Sequence, residues 1–247
     1  MGLSSPIDNG FTRINGGSLR VSQGMPCGYF YGFVTEGIFQ SYDEILHHAV
    51  QTAGTDPTTS TAPGDIKFKD LNGDGIINEQ DRTNIGNAVP TFTYGLTNTF
   101  TYKNFELTVF LQGSQGNKVL NFTRWYTEGG VSNGNYTADI LTRWTGPGTS
   151  NTMPRLVLND PNGNNRVSDR FVEDASYMRV KNARLAYTLP ASVNKYTRFK
   201  KAQVYVSAQN MFTFTKYSGM DPEVGGGVDI GFYPQARTYL IGATIDF

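Results

Sequence analysis

The last ten residues constrain the fold of this chain most, because apolar side chains alternate there with small or polar ones without a break. Successive residues of a β-strand face opposite sides of a sheet. One side carries Tyr239, Ile241, Ala243, Ile245 and Phe247, and the other carries Thr238, Leu240, Gly242, Thr244 and Asp246. A soluble sheet can show this pattern. A chain that stops on an aromatic residue better suits a strand of a transmembrane barrel, apolar towards lipid and polar towards the lumen.

The composition of the 247-residue chain favours a β-rich fold with many turns. Aromatic residues make up 13% of the chain and glycine contributes 28 residues, and these residue types are enriched in strands and in turns. The single cysteine, Cys27, excludes an internal disulfide framework and a cysteine metal cluster. Because the formal net charge is zero, no nucleic acid is indicated as a partner.

Alternation of the same kind predicts five strands, at about 92–102, 105–113, 178–189, 203–212 and 238–247. The first two form a hairpin with a tight turn at Lys103 and Asn104. The start of the third strand, Met178 to Lys181, fits the alternation poorly and predicts a β-bulge.

The connections between these strands are alternately short and long, as in an outer-membrane barrel with long extracellular loops. On this assignment the region 1–91 and the loops 114–177 and 213–237 are extracellular. Five strands cannot enclose a lumen, and open sheet edges cannot lie in lipid. We therefore expect an all-β chain that supplies the C-terminal strands of a large antiparallel transmembrane β-barrel and is incomplete on its own. The start of the chain has no secretory signal, which predicts a piece of a longer exported protein with Met1 added or internal.

The region 1–91 contains one predicted helix, at about 41–50. Ser41 is its expected N-cap, and Glu44 three residues later completes a capping box. His47 and His48 are adjacent, so on a helix they diverge by about 100° and are expected to be solvated rather than to share a metal.

The turn at 70–81 has the spacing of a calcium-binding loop. Asp70, Asn72 and Asp74 place side-chain oxygens at loop positions one, three and five, and Ile76 offers its carbonyl at position seven. Position twelve is Asp81 rather than the longer bidentate glutamate, which resembles dockerin-type loops more than EF-hand sensors. The competing interpretation is a turn rich in Asn, Asp and Gly that binds no metal. Ca²⁺ is the one cofactor that the sequence suggests.

Four aromatic residues lie in the long polar loop that follows the hairpin: Trp125, Tyr126, Tyr136 and Trp144. Aromatic rings beside polar groups suit sugar binding, and they equally suit loop packing or a partner interface. The sequence offers no phosphate loop, no Gly-x-Ser-x-Gly motif and no zinc pattern. No catalytic residues are predicted, and the chain is not expected to be an enzyme.

Several longer stretches together resemble the C-terminal part of a TonB-linked outer-membrane transporter of the SusC/RagA type. The matching stretches are GDIKFKDLNGDG (64–75), DR (81–82), IGNAVPTFTYG (85–95), RFVEDASYMRVKN (170–182), AYTLP (186–190), VSAQNMF (206–212) and YPQARTY (233–239), with the terminal Phe247. The stretches GYFYG (28–32) and EGIFQ (36–40) are also similar to the family, so the resemblance covers nearly the whole chain.

The resemblance implies a plugged barrel of about 22 strands in the outer membrane of a Gram-negative bacterium. Members of the family import oligosaccharides or peptides with energy passed by TonB, and a SusD-like surface lipoprotein caps the barrel and captures the substrate. The plug and the TonB-contacting segment lie N-terminal in the family and do not match this sequence. The chain is thus expected to contribute barrel wall, extracellular loops that face the lipoprotein, and part of the substrate cavity.

The alternative is a soluble, calcium-stabilised, β-rich carbohydrate-binding module. In such a sandwich the apolar face of each strand is buried inside the protein, whereas in a barrel it meets lipid. The exposure of that face therefore discriminates between the two interpretations. A secreted hydrolase is a weaker third possibility, since no catalytic set converges in the sequence.

Overall fold

The computed structural model describes residues 19–22, 24–129, 134–190, 192 and 199–246. In chain order its helices and strands are β1 (Leu19–Arg20), β2 (Tyr29–Gly32), β3 (Thr35–Ile38), α1 (Tyr42–Leu46), β4 (Ile66–Phe68), β5 (Thr83–Asn87), β6 (Phe92–Tyr102), β7 (Phe105–Gln115), β8 (Lys118–Asn121), α2 (Phe122–Glu128), β9 (Val172–Asp174), β10 (Tyr177–Thr188), β11 (Lys201–Thr215), β12 (Val228–Asp229) and β13 (Thr238–Asp246). Within those ranges, no helix combines the length and the apolar character needed to span a membrane.

The chain divides into two compact units, each built from separated segments. The strand unit comprises Pro90–Asn117, Asp174–Glu223 and Phe232–Phe247, and the loop unit comprises Met1–Val89, Lys118–Glu173 and Val224–Gly231. This division differs from a single boundary near residue 91, because residues 118–173 pack with the segments before residue 90. The connection expected as loop 114–177 thus contains β8, α2 and β9.

The strand unit is one antiparallel sheet in the spatial order β13-β11-β10-β7-β6. Its strands are 9 to 15 residues long, which is the length that tilted strands need to cross a bilayer. In the described part of the chain, β6 and β13 each pair on one side only, so the sheet does not close. The expected fold class, part of an antiparallel barrel, is confirmed.

Strand registers align the alternating side chains into rows that run across all five strands. One row joins directly paired residues on successive strands: Phe100, Leu107, Leu185, Val206 and Ile241. The row one step towards the hairpin turn is Tyr102, Phe105, Tyr187, Val204 and Ala243. Because side chains on directly paired positions point to the same side of a sheet, these rows belong to one face. Phe247, which the sequence also assigned to this face, lies outside the described residues.

A bulge interrupts the ladder on β10 and β11 at the position where the sequence predicts it. Val180 pairs with Leu111, but Asn182 pairs with the next residue, Phe110, so Lys181 is an extra residue in β10. On the other side of β10 the register also shifts, and Asn210 of β11 has a left-handed backbone with φ 53°. The extra residue changes which side chains beyond the bulge face inward.

The loop unit is held together by short strands and two apolar clusters. Its sheets are β1-β2-β5, β3-β4 and β12-β8-β9. One cluster contains Phe33, Ile66, Phe68 and Ile77, and the other contains Phe30, Leu120 and Phe171, all buried. Burying a phenylalanine, isoleucine or leucine side chain contributes about 1.5–3 kcal/mol, so these seven residues can order strands of two to five residues.

The helix expected at about 41–50 ends earlier in the structure. The helix α1 covers Tyr42–Leu46, with Ser41 accepting the Glu44 N–H at 3.3 Å as its cap and His47 as its C-cap. None of its residues is buried. The helix therefore lacks the packed apolar face that usually stabilises longer helices. Beyond it, Val50 forms an isolated bridge with Ile76.

Candidate functional site

The apolar face of the strand unit, defined by the rows of Phe100 and Tyr102, is exposed to the surroundings. Phe100 is 61% exposed, Val206 47% and Ile241 86%. Aromatic side chains lie near both ends of this face: Tyr102 and Phe105 near the hairpin turn, and Phe212 and Phe214 near the opposite end. The rings of Phe105 and Tyr187 are 4.7 Å apart. An exposed apolar band with aromatic ends is typical of a lipid-facing barrel wall.

The opposite face of the same sheet is polar. Thr99, Thr108 and Arg184 are directly paired across three strands. The Arg184 guanidinium lies 4.3 Å above the Tyr205 ring and its Nη2 donates to Gln203 Oε1 at 3.0 Å. This alternation of faces is what a strand between lipid and an aqueous lumen requires.

An ion-pair cluster ties the connection between β11 and β13 to the polar face. Arg179, with its side chain 3% exposed, donates to Asp221 Oδ1 at 2.6 Å and to Glu223 Oε2 at 2.9 Å. Lys181 reaches Glu223 at 3.1 Å and Gln235 at 2.8 Å. Burial alone would raise the pKa of Asp221, but the Gln235 and Glu223 N–H groups and the Arg179 guanidinium bring that pKa below its ordinary value. The Asp221 carboxylate that pairs with Arg179 is therefore ionised at neutral pH.

A buried polar network organises the loop unit around Asp65. The Asp65 side chain is fully buried, and Arg155 binds both of its oxygens, Nε to Oδ1 at 2.7 Å and Nη2 to Oδ2 at 2.8 Å. Asn164 donates to Oδ1 at 2.9 Å and the Ala62 N–H donates to Oδ2 at 2.8 Å. Asn162, also fully buried, accepts from Gln51 at 2.8 Å. These bonds join residues that lie 90, 99 and 111 residues apart in sequence.

The calcium-like turn adopts a tight loop. Gly73 and Gly75 have φ of 75° and 81°, left-handed values that favour glycine. Asp70 Oδ1 accepts the Gly73 N–H at 2.7 Å, and Oδ2 accepts the Gly75 N–H at 2.9 Å. The Gly75 N–H holds the pKa of Asp70 below its ordinary value. This loop is anchored at its far end, where Ile77 and Val50 bond through their main chains.

The carboxylates of this loop are engaged by backbone donors. Asp74 Oδ1 accepts from the Ile76 N–H at 2.9 Å, while the Asn72 amide donates to Asp74 Oδ2 at 2.9 Å. Asp81 is fully buried, and its two oxygens accept the N–H groups of Leu71 and Asn78. Among the described residues, no three His, Cys, Asp or Glu side chains are grouped closely enough to hold a metal ion. Carboxylate and amide oxygens, which this loop places at alternate positions, are the donor types that a hard cation prefers.

The four aromatic residues singled out in the sequence do not form one platform. Trp125 packs against the Phe30 cluster, stacks on Phe122 with ring centroids 4.8 Å apart, and donates from Nε1 to the Asn165 carbonyl at 2.8 Å. Trp144 donates to Gln40 Oε1 at 3.1 Å. It lies so close to Gly64 that a Cβ there would be 2.5 Å from the ring. Both tryptophans thus have structural contacts, whereas Tyr126 is half exposed and Tyr136 partly exposed.

Sequence reasoning did not single out Arg179, Arg155 or Asp65. Arg179 lies beyond the bulge, so simple alternation from Ala183 and Leu185 would point it to the apolar face. Asp65 and Arg155 are 90 residues apart, and neither belongs to a motif. The available signal was the position of these charged residues within or next to apolar strand segments. A charged side chain that is buried there is expected to have a partner of opposite charge.

Comparison with known proteins gives sequence relatives over most of the chain, although no family model matches. The chain is 35% identical over 237 residues to TonB-dependent receptor P3 of Formosa agariphila, an alignment that covers 91% of the chain and 22% of that receptor. It is 32% identical over 193 residues to TonB-dependent receptor SusC of Bacteroides thetaiotaomicron, covering 75% of the chain and 18% of SusC. The chain thus spans about a fifth of the length of these relatives.

Solved structures give the same result for the fold. A structure of the RagAB peptide importer in the closed-closed state matches with a TM-score of 0.71 at 25% identity, covering 93% of this chain and 24% of that one. A structure of the RagAB peptide transporter matches with a TM-score of 0.67 at 26% identity, covering 89% and 23%.

Proposed function

Because the chain belongs to the SusC/RagA family of TonB-dependent outer-membrane receptors, we propose that it forms five wall strands and a loop unit of an importer for oligosaccharides or peptides. The single observation that carries this proposal is the continuous exposed apolar face across all five strands, opposite a polar face. Transport itself needs the whole receptor, of which this chain supplies one part.

The dimensions of the apolar face support a membrane-spanning role. From the row of Tyr94 to the row of Tyr102 there are eight residues along β6, or roughly 27 Å at about 3.4 Å per residue. Tilting the strands by about 40° reduces that height to roughly 20 Å, close to the ~25 Å apolar band of outer-membrane barrels. In the soluble-module alternative, these same side chains would be covered by a second sheet, and the described residues supply no such cover.

We expect the partners of the whole receptor to be TonB and a SusD-like surface lipoprotein. Support for the lipoprotein contact comes from the loop unit, where Leu141 is 75% exposed and Leu158 79% exposed. Exposed leucines of this kind suit a protein interface when they lie together, although single ones are common on any surface. The loop unit is then the part of this chain that meets the lipoprotein.

Import by the full-length receptor is testable in cells. Deleting the receptor gene should abolish growth on the imported oligosaccharide or peptide, and deleting TonB should have the same effect because the transport energy is lost. The intact receptor should also retain a lipoprotein during affinity purification, and Leu158→Asp should reduce that yield severalfold. Thr152→Asp, a change at an exposed polar site of the same unit, is the matched control. Undiminished uptake in the TonB mutant would contradict the proposal.

We also propose that the 70–81 turn binds Ca²⁺ through Asp70, Asn72, Asp74, the Ile76 carbonyl and Asp81. The glycine-dependent loop and the oxygen donors at alternate positions support this assignment. The bound ion would link the turn to its neighbours and stabilise the loop unit, with no role in chemistry.

Asp74→Asn is the sharpest test of that ion, because the amide oxygen can still accept the Ile76 N–H while the charge is lost. We expect the Tm of the receptor to fall in the presence of Ca²⁺ and to stay unchanged in chelator. At a Ca²⁺ concentration one hundredfold above the Kd, binding stabilises the folded state by about 2.7 kcal/mol. At that concentration, complete loss of the ion would therefore lower the free energy of unfolding by the same amount. An equal fall of Tm with Ca²⁺ and with chelator would show that the turn does not bind Ca²⁺.

A further inference from the structure

The loop unit contains an open cleft of about 460 Å³ that none of the motifs above accounts for. Its lining is mixed, with apolar, amide and charged side chains: Phe33, Ile77, Glu79, Arg82, Trp125, Asn165 and Arg166 among them. A few polar groups set into an apolar wall are typical of small-molecule sites.

Two arginines flank one aromatic ring in this cleft. The Arg166 guanidinium carbon lies 5.3 Å from the Phe33 ring centroid, and that of Arg82 lies 5.9 Å from the same centroid. The guanidinium of Arg166 donates from Nη2 to the Asn162 carbonyl at 3.0 Å. Among the described residues, no carboxylate is within ion-pair distance of Arg166. Burial lowers the pKa of Arg166, and the Asp160 and Glu79 carboxylates oppose that shift from beyond ion-pair distance. An anion in direct contact with the guanidinium would therefore stabilise its charge further.

An unsatisfied amide lines the same cleft. Asn165 is 8% exposed, and in the described part of the chain neither its Oδ1 nor its Nδ2 has a hydrogen-bond partner. Its side chain is pressed against Gly129, where an added Cβ would be 2.0 Å from Oδ1. A buried polar group without a partner destabilises the folded protein, and a ligand with complementary groups would remove that cost.

Glu79 limits access to the second arginine. The Glu79 side chain is 76% exposed and bonds Arg82 Nη1 at 2.7 Å, whereas the Arg82 side chain is 9% exposed. Arg82 also donates to the Tyr31 carbonyl at 2.9 Å, which fixes its position. An incoming carboxylate would compete with Glu79 for this guanidinium, because both are planar bidentate acceptors.

From these contacts we propose that the cleft is a subsite for a carboxylate group of the imported oligomer, bound by Arg166 and the Asn165 amide against Phe33, with Glu79 as a competing anion at the rim. The proposal rests on the importer function above and gives it a substrate class, acidic oligomers. The carboxylate belongs either to a uronic acid unit or to a peptide, and the same groups would bind both.

Binding to the detergent-solubilised full-length receptor tests the proposal with two matched pairs of probes. One pair is a galacturonic acid trimer and a galactose trimer, and the other is triglutamate and triglutamine. The acidic member of one pair should bind at least tenfold more tightly than its neutral partner, and which pair shows this preference identifies the source of the carboxylate. Equal affinities within both pairs would overturn the proposal.

Three variants connect that preference to the cleft. Glu79→Gln removes the competing anion at an exposed position, and the acidic probe should then bind about threefold to fivefold more tightly. Asn165→Asp preserves side-chain shape but places an acid in the cleft, and binding should weaken at least tenfold. Asp43→Asn, an equivalent change at an acid that is 82% exposed on α1, is the control and should leave affinity unchanged.

The gain expected from Glu79→Gln cannot come from a folding defect, so an unchanged affinity in that variant contradicts the subsite directly. The importer function is tested separately. If TonB-dependent uptake of a neutral oligomer persists while no acidic probe is preferred, the importer function is retained and the carboxylate subsite fails.

Discussion

Replacing Ile241 by lysine should destabilise the folded full-length receptor by about 2–3 kcal/mol, within the range for a cation near the bilayer midplane. Ile241 is 86% exposed and lies in the row of Phe100 and Val206. This row is next to the row of Asn98, which is the middle one of the apolar face. A lysine there must either enter hydrocarbon or bend its ammonium to the interface. Urea unfolding of the receptor refolded in liposomes measures the change in unfolding free energy.

The matched control is Thr244→Lys on the same strand. Thr244 pairs with Gln203 on the polar face, where a lysine stays in water. Its unfolding free energy should therefore change by no more than about 0.5 kcal/mol. Equal costs for the two lysines would show that the two faces of β13 meet the same medium, and the barrel-wall assignment of this strand would fail.

Replacing Arg155 by alanine should destabilise the loop unit by about 3–5 kcal/mol, the usual cost of breaking a buried ion pair on one side. The change leaves the fully buried Asp65 carboxylate without its guanidinium. It also removes the donors to the Pro57 and Ser60 carbonyls, at 2.7 Å and 3.3 Å. Protease cleavage within residues 56–64, followed against denaturant in the full-length receptor, reports this loss locally.

Two further variants separate the ion pair from general surface effects. Arg155→Lys keeps the charge but cannot bind both Asp65 oxygens, so an intermediate loss is expected. Asp43→Asn removes an exposed acid 3.5 Å from His47 and should change stability by less than about 0.5 kcal/mol. A loss below about 1 kcal/mol for Arg155→Ala would mean that the Asp65 network does not hold the loop unit together.

The strand unit was largely predictable from sequence because its signal is local. A period of two over ten residues identifies a strand and both of its faces without knowledge of its neighbours. The misfit at Met178 to Lys181 even indicated the bulge that the structure contains. The ends of β11 were less predictable, and it runs from Lys201 to Thr215, because the alternation weakens where side chains leave the apolar band.

The loop unit was not predictable in the same way, because its stability comes from contacts distant in sequence. Asp65, Arg155 and Asn164 share no period, and each resembles an ordinary polar loop residue until the chain brings them together. Trp125 and Trp144 show the same limit. The sequence around an aromatic residue in a polar loop does not reveal whether its ring packs inside the protein or faces a ligand, and both of these tryptophans have structural contacts.

The extra residue in β10 determines whether the Arg179 guanidinium faces the lipid side or the inner side of the sheet. Counting back by twos from Ala183 and Leu185 along an uninterrupted strand would place Tyr177 and Arg179 on the outer side. With Lys181 inserted, Met178 and Val180 take the outer positions, and Arg179 turns inward to Asp221 and Glu223. A strand of the same length that straightened the bulge and kept Lys181 would therefore carry the Arg179 guanidinium into the fatty acyl layer. Deleting Lys181 itself would join Asn182 to Val180 in a regular ladder and leave Arg179 facing inward.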